Sequence, residues 1–78
     1  MYIVSISLSS VESVKNFVNI VSKYKFPITL HSDNYIINGK SIMGIFSLDL
    51  SKPLTLKVEE EVPQNFINEI NQFIVSEE

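Results

Sequence analysis

Ile28-Thr29-Leu30-His31-Ser32-Asp33-Asn34-Tyr35-Ile36-Ile37-Asn38-Gly39-Lys40-Ser41-Ile42-Met43-Gly44-Ile45-Phe46-Ser47-Leu48 is the stretch on which the fold turns. Pro27 cannot continue a helix and pushes Phe26 toward extended geometry, so Ile28 to Ser32 reads as a strand. Ser32-Asp33-Asn34 is a turn signal and Tyr35-Ile36-Ile37 is the returning strand of a hairpin. Asn38-Gly39 then closes the unit with residues that tolerate positive φ. Ser41 caps a short apolar segment, Ile42 to Leu48, whose spacing suits two helical turns better than a strand. Gly44 within it costs about 1 kcal/mol of helix propensity, which implies a packing or functional reason.

Working outward, Tyr2 to Leu8 alternates, with Val4, Ile6 and Leu8 on one side and Ser5 and Ser7 on the other, the pattern of a half-buried strand. Ser9-Ser10-Val11-Glu12 reads as a capping box, Ser9 accepting from the amide three residues on and Glu12 reaching back. The helix it starts carries Val11, Val14, Val18 and Val21, with Phe17 and Tyr24 beside them, as one stripe through about Lys23. Towards the end of the chain, Leu54, Leu56 and Val58 alternate with Thr55, Lys57 and Glu59 as a last strand. Pro63 fits the first turn of a final helix with Phe66, Ile67, Ile70, Phe73 and Ile74 on one side. The order is β-α-β-β-α-β-α. It predicts an α+β open-faced sandwich, a four-stranded antiparallel sheet wet on one face and covered on the other by three helices.

The chain of 78 residues is short enough for one domain, expected over residues 1–78, with a hydrophobic share of 45% and a charged share of 19%. There is no cysteine, which removes disulfides, zinc–thiolate sites, iron–sulfur clusters and thiol nucleophiles. Six lysines and no arginine against nine carboxylates give a net charge of −3. That balance is a poor match for nucleic acid or an anionic membrane. No apolar run approaches the roughly 20 residues that span a bilayer, and the N-terminus lacks the pattern of a signal peptide. The expected location is the cytoplasm, with no membrane insertion.

No catalytic constellation stands out, so the chain is not expected to be an enzyme, and neither a cofactor nor a metal is implied. The single histidine, His31, falls on the Thr29 side of its strand, the face expected to meet solvent. Glu59-Glu60-Glu61 leave a strand in different directions and supply no cation cage. Gly39-Lys40-Ser41 matches only the end of a phosphate-binding loop, whose first glycine and strand–loop context are absent. Two helix starts remain, at Ser9/Ser10 and at Ser41, where unpaired amides and the helix dipole favour negative charge. Ile42, Met43 and Phe46 crowd two turns and cannot all face inward, which points to an exposed apolar patch for a partner.

The stretch Lys40-Ser41-Ile42-Met43-Gly44-Ile45-Phe46-Ser47-Leu48 resembles the second-helix signature of HPr, the histidine-containing phosphocarrier of the bacterial sugar phosphotransferase system. The resemblance covers nearly the whole chain in length and element order. In that family a histidine at the start of the first helix accepts phosphate from enzyme I and passes it to permease-associated domains, helped by a nearby arginine. Carried back without a gap from Ser41, that histidine falls at Ser10, the arginine at Glu12 and the proline that follows at Ser13. All three are changed. The family's regulatory serine, the target of a dedicated kinase, falls at Ser41 and is intact. The docking surface falls at Ile42, Met43 and Phe46, and a family glycine beside it is Asp49 here.

The resemblance implies an HPr-like protein that has lost phosphohistidine chemistry, because an imidazole is the nucleophile and a carboxylate at residue 12 repels a phosphoryl group. It would act as a regulatory or protein-binding module whose partners are cytosolic proteins, among them phosphotransferase-system components or a serine kinase or phosphatase. Two alternatives stay open at this point: a working phosphocarrier with an unusual acceptor, Ser10 or His31, and an unrelated small α+β interaction protein.

Overall fold

The computed structural model describes residues 1–75; residues 76–78, which the expected single domain includes, lie outside the described residues. Four strands, β1 (Tyr2–Ile6), β2 (Thr29–Ser32), β3 (Tyr35–Asn38) and β4 (Leu54–Val58), alternate with three helices, α1 (Val11–Val21), α2 (Ile42–Phe46) and α3 (Gln64–Ile70). The expected order holds. The strands form one antiparallel sheet in the order β1-β4-β2-β3, with β4 inserted between the first strand and the hairpin.

The register sets the two faces. Val4 lies opposite Leu56, which lies opposite Leu30, which lies opposite Ile37. These residues alternate with Ser5, Thr55, His31 and Ile36, which share the other face. On the helix side, Ile6, Leu30, Leu54, Leu56 and Val58 pack against Val14, Phe17 and Val21 of α1, Ile45 of α2 and Phe66 and Ile70 of α3 in one buried core. Phe66 is the hub of an aromatic group, with its ring 5.1 Å from those of Tyr24 and Phe26 and 6.2 Å from that of Tyr2, all edge-on.

Several sequence expectations shift locally. The helix box closes one residue later than Ser9 and Glu12, on Ser10 and Ser13, so Ser10 is the cap of α1. Val11, expected in the buried stripe, is 58% exposed, because the first residue of the helix overhangs the core that Val14, Phe17 and Val21 fill. The last turn of α1 tightens, with the Lys23 and Tyr24 amides donating to the carbonyls three residues back at 3.2 and 3.1 Å, and the regular helix stops at Val21 rather than Lys23. Likewise α2 is regular only to Phe46, and tightened bonds from Ser47 and Leu48 finish the expected second turn.

In the hairpin, positive φ occurs at Asp33 (51°), not at Asn38 or Gly39. Gly39 is needed for a different reason. Its N–H donates to the Ile28 carbonyl at 2.7 Å, and a Cβ there would sit 2.8 Å from Ile28 Cγ2. Pro63 precedes α3 as its cap rather than entering its first turn. Beyond Ile70 the chain makes a 3-10 turn, Asn71–Phe73, then runs extended beside β1. Ser7 N–H donates to the Phe73 carbonyl at 2.8 Å and Val75 N–H to the Ser5 carbonyl at 3.0 Å. Ile74, expected on the last helix, therefore covers the β1 edge of the sheet.

Candidate functional site

Two short polar sequences, one at each helix start, carry the candidate chemistry. At the first, Leu8 is fully buried and Ser7 is tied to Phe73, so the chain stays extended until Ser10. Ser10 then caps α1 in extended conformation. Its Oγ accepts from the Ser13 amide at 3.1 Å, and its own amide donates to Ser13 Oγ at 3.0 Å. Ser13 Oγ also donates to the Ser10 carbonyl at 2.9 Å. The amides and hydroxyls of the pair are engaged with each other, a closed structural arrangement with no proton acceptor comparable to an imidazole.

A shallow cleft of about 390 Å³ opens beside this box, lined by Ser7, Ser9, Ser10, Glu12, Ser13 and Asn16 from the α1 side and by the segment Gln72 to Val75 opposite. Hydroxyls and amides dominate it, and the one ionised side chain is Glu12, exposed in the first turn of α1. A carboxylate suits the helix dipole but repels an incoming phosphoryl group. His31 is elsewhere. It stands half-buried on the sheet face turned away from the helices, opposite Thr55 and Ile36, with Nε2 3.1 Å from Thr29 Oγ1. The structure does not bring Ser10 and His31 into one site.

At the second helix start, Ser41 caps α2 and its Oγ accepts from the Gly44 amide at 3.2 Å. Gly44 has a packing reason: a Cβ there would lie 3.1 Å from Ser41 Oγ and 3.7 Å from Ile37 Cδ1. Ser41 is half-buried. Just before it, Lys40 reaches across to the end of α1, and its Nζ donates to the Tyr24 carbonyl at 2.6 Å. Of the three residues expected to form an apolar patch, Met43 is 76% exposed and Phe46 38%, whereas Ile42 is half-buried against the core. Val11, which the sequence pattern assigns to the core, is a further exposed apolar side chain.

Past α2, Asp49 Oδ1 accepts from Ser51 Oγ at 2.6 Å and from the Ser51 amide at 3.1 Å. These bonds hold its carboxyl below the usual carboxylate range. Among the described residues no group of three or more potential ligands could hold a metal, and no helix is long and apolar enough to cross a membrane.

A four-stranded antiparallel sheet backed by helices on one face defines the class, an α+β open-faced sandwich. A family model described as the PTS HPr component phosphorylation site matches residues 12–76. The chain belongs to the HPr family, the phosphocarriers of the phosphotransferase system. Members of this family are phosphocarriers rather than catalytic enzymes, and they interact with other components of that system. Two solved structures are similar to it. HPr-C-His from Thermoanaerobacter tengcongensis is 29% identical, with a TM-score of 0.75 and 92% of this chain covering 89% of that one. A phosphocarrier protein HPr from Bacillus anthracis str. Ames shares the fold at 22% identity, with a TM-score of 0.69 and coverages of 95% and 94%. No curated protein sequence matches the chain. The alternative of an unrelated interaction protein with a coincidental second-helix likeness falls with the family match. That match begins at Glu12, two residues after Ser10.

Proposed function

We propose that this chain has given up phosphohistidine transfer and works as a regulatory or protein-binding member of its family, meeting cytosolic partners through α2. The observation that carries this reading is the box at the start of α1. Ser10 and Ser13 satisfy each other's polar groups where the family's nucleophile would stand, and Glu12 puts a negative charge in the cleft. A serine ester is also a far poorer phosphoryl donor than a phosphohistidine. Met43 and Phe46 supply the exposed apolar contact, and Ser41, next to them, is the residue a kinase would modify. A dianionic phosphate there would meet the start of α2 and stand beside the docking residues, so its natural effect is to change which partner binds.

The test is incubation with enzyme I and labelled phosphoenolpyruvate. The protein stays unlabelled; acid-labile phosphate on His31, or acid-stable phosphate on Ser10 lost in Ser10→Ala, would overturn the reading in favour of a working carrier.

A further inference from the structure

The two edges of the sheet are finished differently. At the β1 edge, Phe73 to Val75 take up the outward backbone groups of Ser5 and Ser7. The β3 edge has no such cover among the described residues. Its hydrogen-bonding phase follows from the Gly39 amide donating to the Ile28 carbonyl: if 28 and 39 are a bonded pair, so are 30 with 37 and 32 with 35. The pairs 31 with 36 and 29 with 38 are then the non-bonded ones, so Ile36 and Asn38 turn their amides and carbonyls outward. The Asn38 carbonyl receives the Ser41 amide at 3.0 Å. Ile36 keeps both groups free for a neighbour.

Edge strands are ordinarily protected by charge, proline or a bulge. β3 has none of these: Tyr35-Ile36-Ile37-Asn38 is uncharged, and Tyr35 and Ile36 are 67% and 66% exposed. In sequence the nearest charges lie just beyond its two ends, Asp33 before it and Lys40 after it, the latter with its Nζ held on the Tyr24 carbonyl at 2.6 Å. Antiparallel pairing of β3 with itself sets each chain's acidic end beside the other's basic end, whereas parallel pairing would set like beside like.

We propose that β3 is an interface with a second copy of this chain, the two strands pairing antiparallel about a twofold axis through Ile36 to make an eight-stranded sheet. A twofold normal to the sheet keeps the helices of both copies on one face, and only pairings of equal parity satisfy it. Ile36 opposite Ile36 is the register in which the free groups meet: each Ile36 amide donates to the other's carbonyl, and each Asn38 amide meets the other's Asn34 carbonyl. Tyr35 then lies beside the other copy's Ile37. Four residues bury little area, so the dimer is weak, with a dissociation constant of about 0.1–1 mM.

Sedimentation equilibrium of the full chain from about 20 µM to about 2 mM should show a monomer–dimer equilibrium. Over the same range the exchange rate of the Ile36 amide should fall in proportion to the dimer fraction, while those of Tyr35 and Ile37, bonded within the hairpin, stay constant. Ile36→Lys places two like charges at the twofold and should raise the dissociation constant at least about tenfold. A monomer throughout the range overturns the proposal, and so does a dimer in which Ile36 exchange is independent of concentration, as association through α2 would give. The exchange measurement decides the matter even if Ile36→Lys fails to fold.

Discussion

Rebuilding the cleft is the sharpest probe of whether the residues at the start of α1 decide phosphoryl transfer. The triple variant Ser10→His, Glu12→Arg, Ser13→Pro installs the three residues that the HPr signature implies there. The helix can accept them. The Ser13 amide donates only to Ser10 Oγ, and the first backbone bond of the helix runs from Val14 N–H to the Ser10 carbonyl at 3.1 Å, so a proline at 13 removes no helical rung. The loss of the Ser10 cap costs about 1 kcal/mol. Exchanging a carboxylate for a cation in the first turn costs a further ~0.5–1 kcal/mol through the helix dipole. Proline offsets this by about 0.5–1 kcal/mol by restricting the unfolded chain. A net loss of about 0.5–1.5 kcal/mol lowers Tm by about 2–12 °C in a domain of this size and leaves it folded. The assay is labelling by enzyme I and phosphoenolpyruvate after a melting curve has confirmed the fold. Acid-labile phosphate on residue 10 is the expected result. A folded triple variant that remains unlabelled would refute the reasoning, because the defect would then lie in the docking surface, with Asp49 the first residue to revert to glycine.

Two further perturbations test other parts of the structure. Gly39→Ala should cost about 1–3 kcal/mol in a thermal melt, since its Cβ must displace the Ile28 side chain 2.8 Å away and strain the bond to the Ile28 carbonyl; Gly44→Ala, whose nearest neighbour is a hydroxyl at 3.1 Å, should stay within about 1 kcal/mol of neutral because helix propensity rises. The Glu69 carboxylate accepts from Lys23 Nζ at 2.6 Å and from the Tyr24 hydroxyl, which together hold its carboxyl below the usual range and push the Tyr24 phenol up. A depressed acid stabilises the fold above the unfolded carboxylate value and loses that contribution as pH falls; a raised phenol does so below the unfolded tyrosine value and loses it as pH rises. Melting temperature should therefore show a plateau between about pH 5 and about pH 9.5; Glu69→Gln should lower it within that plateau and flatten the fall at both ends, and an unchanged profile in that variant would remove the contact from the account.

Much of the fold could be read directly because β4, and β2 as far as His31, alternate apolar and polar residues. Leu54, Leu56 and Val58 are all buried, and the hairpin residues pair as their turn chemistry implies. What failed to show locally was decided at a distance. Ser9 and Ser10 are equally good caps in isolation, and Glu12 favours the first; only the tie of Ser7 to Phe73 and the burial of Leu8 carry the extended chain on to Ser10. Ile74 fits the helical stripe of Phe66 and Ile70, yet the free edge of β1 claims it for a strand pairing with Ile6. At the second helix start the reading of Ser41 as a cap needed only neighbours within four residues, and there it agrees with the structure. The exposure of Val11 had no local signal, since it depends on how far the core extends beneath the first turn of α1.

The insertion of β4 between β1 and β2 also fixes an order of assembly. The β2–β3 hairpin closes over a two-residue turn and can form early, whereas Tyr2 must find Val58 across most of the chain before β1 has its neighbour. Folding should then wait on β4, and the β1–β4 ladder should form late. Truncations in that ladder, such as Val4→Ala, are expected to speed unfolding more than they slow folding, and stopped-flow chevrons of Val4→Ala beside Leu30→Ala would show the opposite partition if β1 docked first.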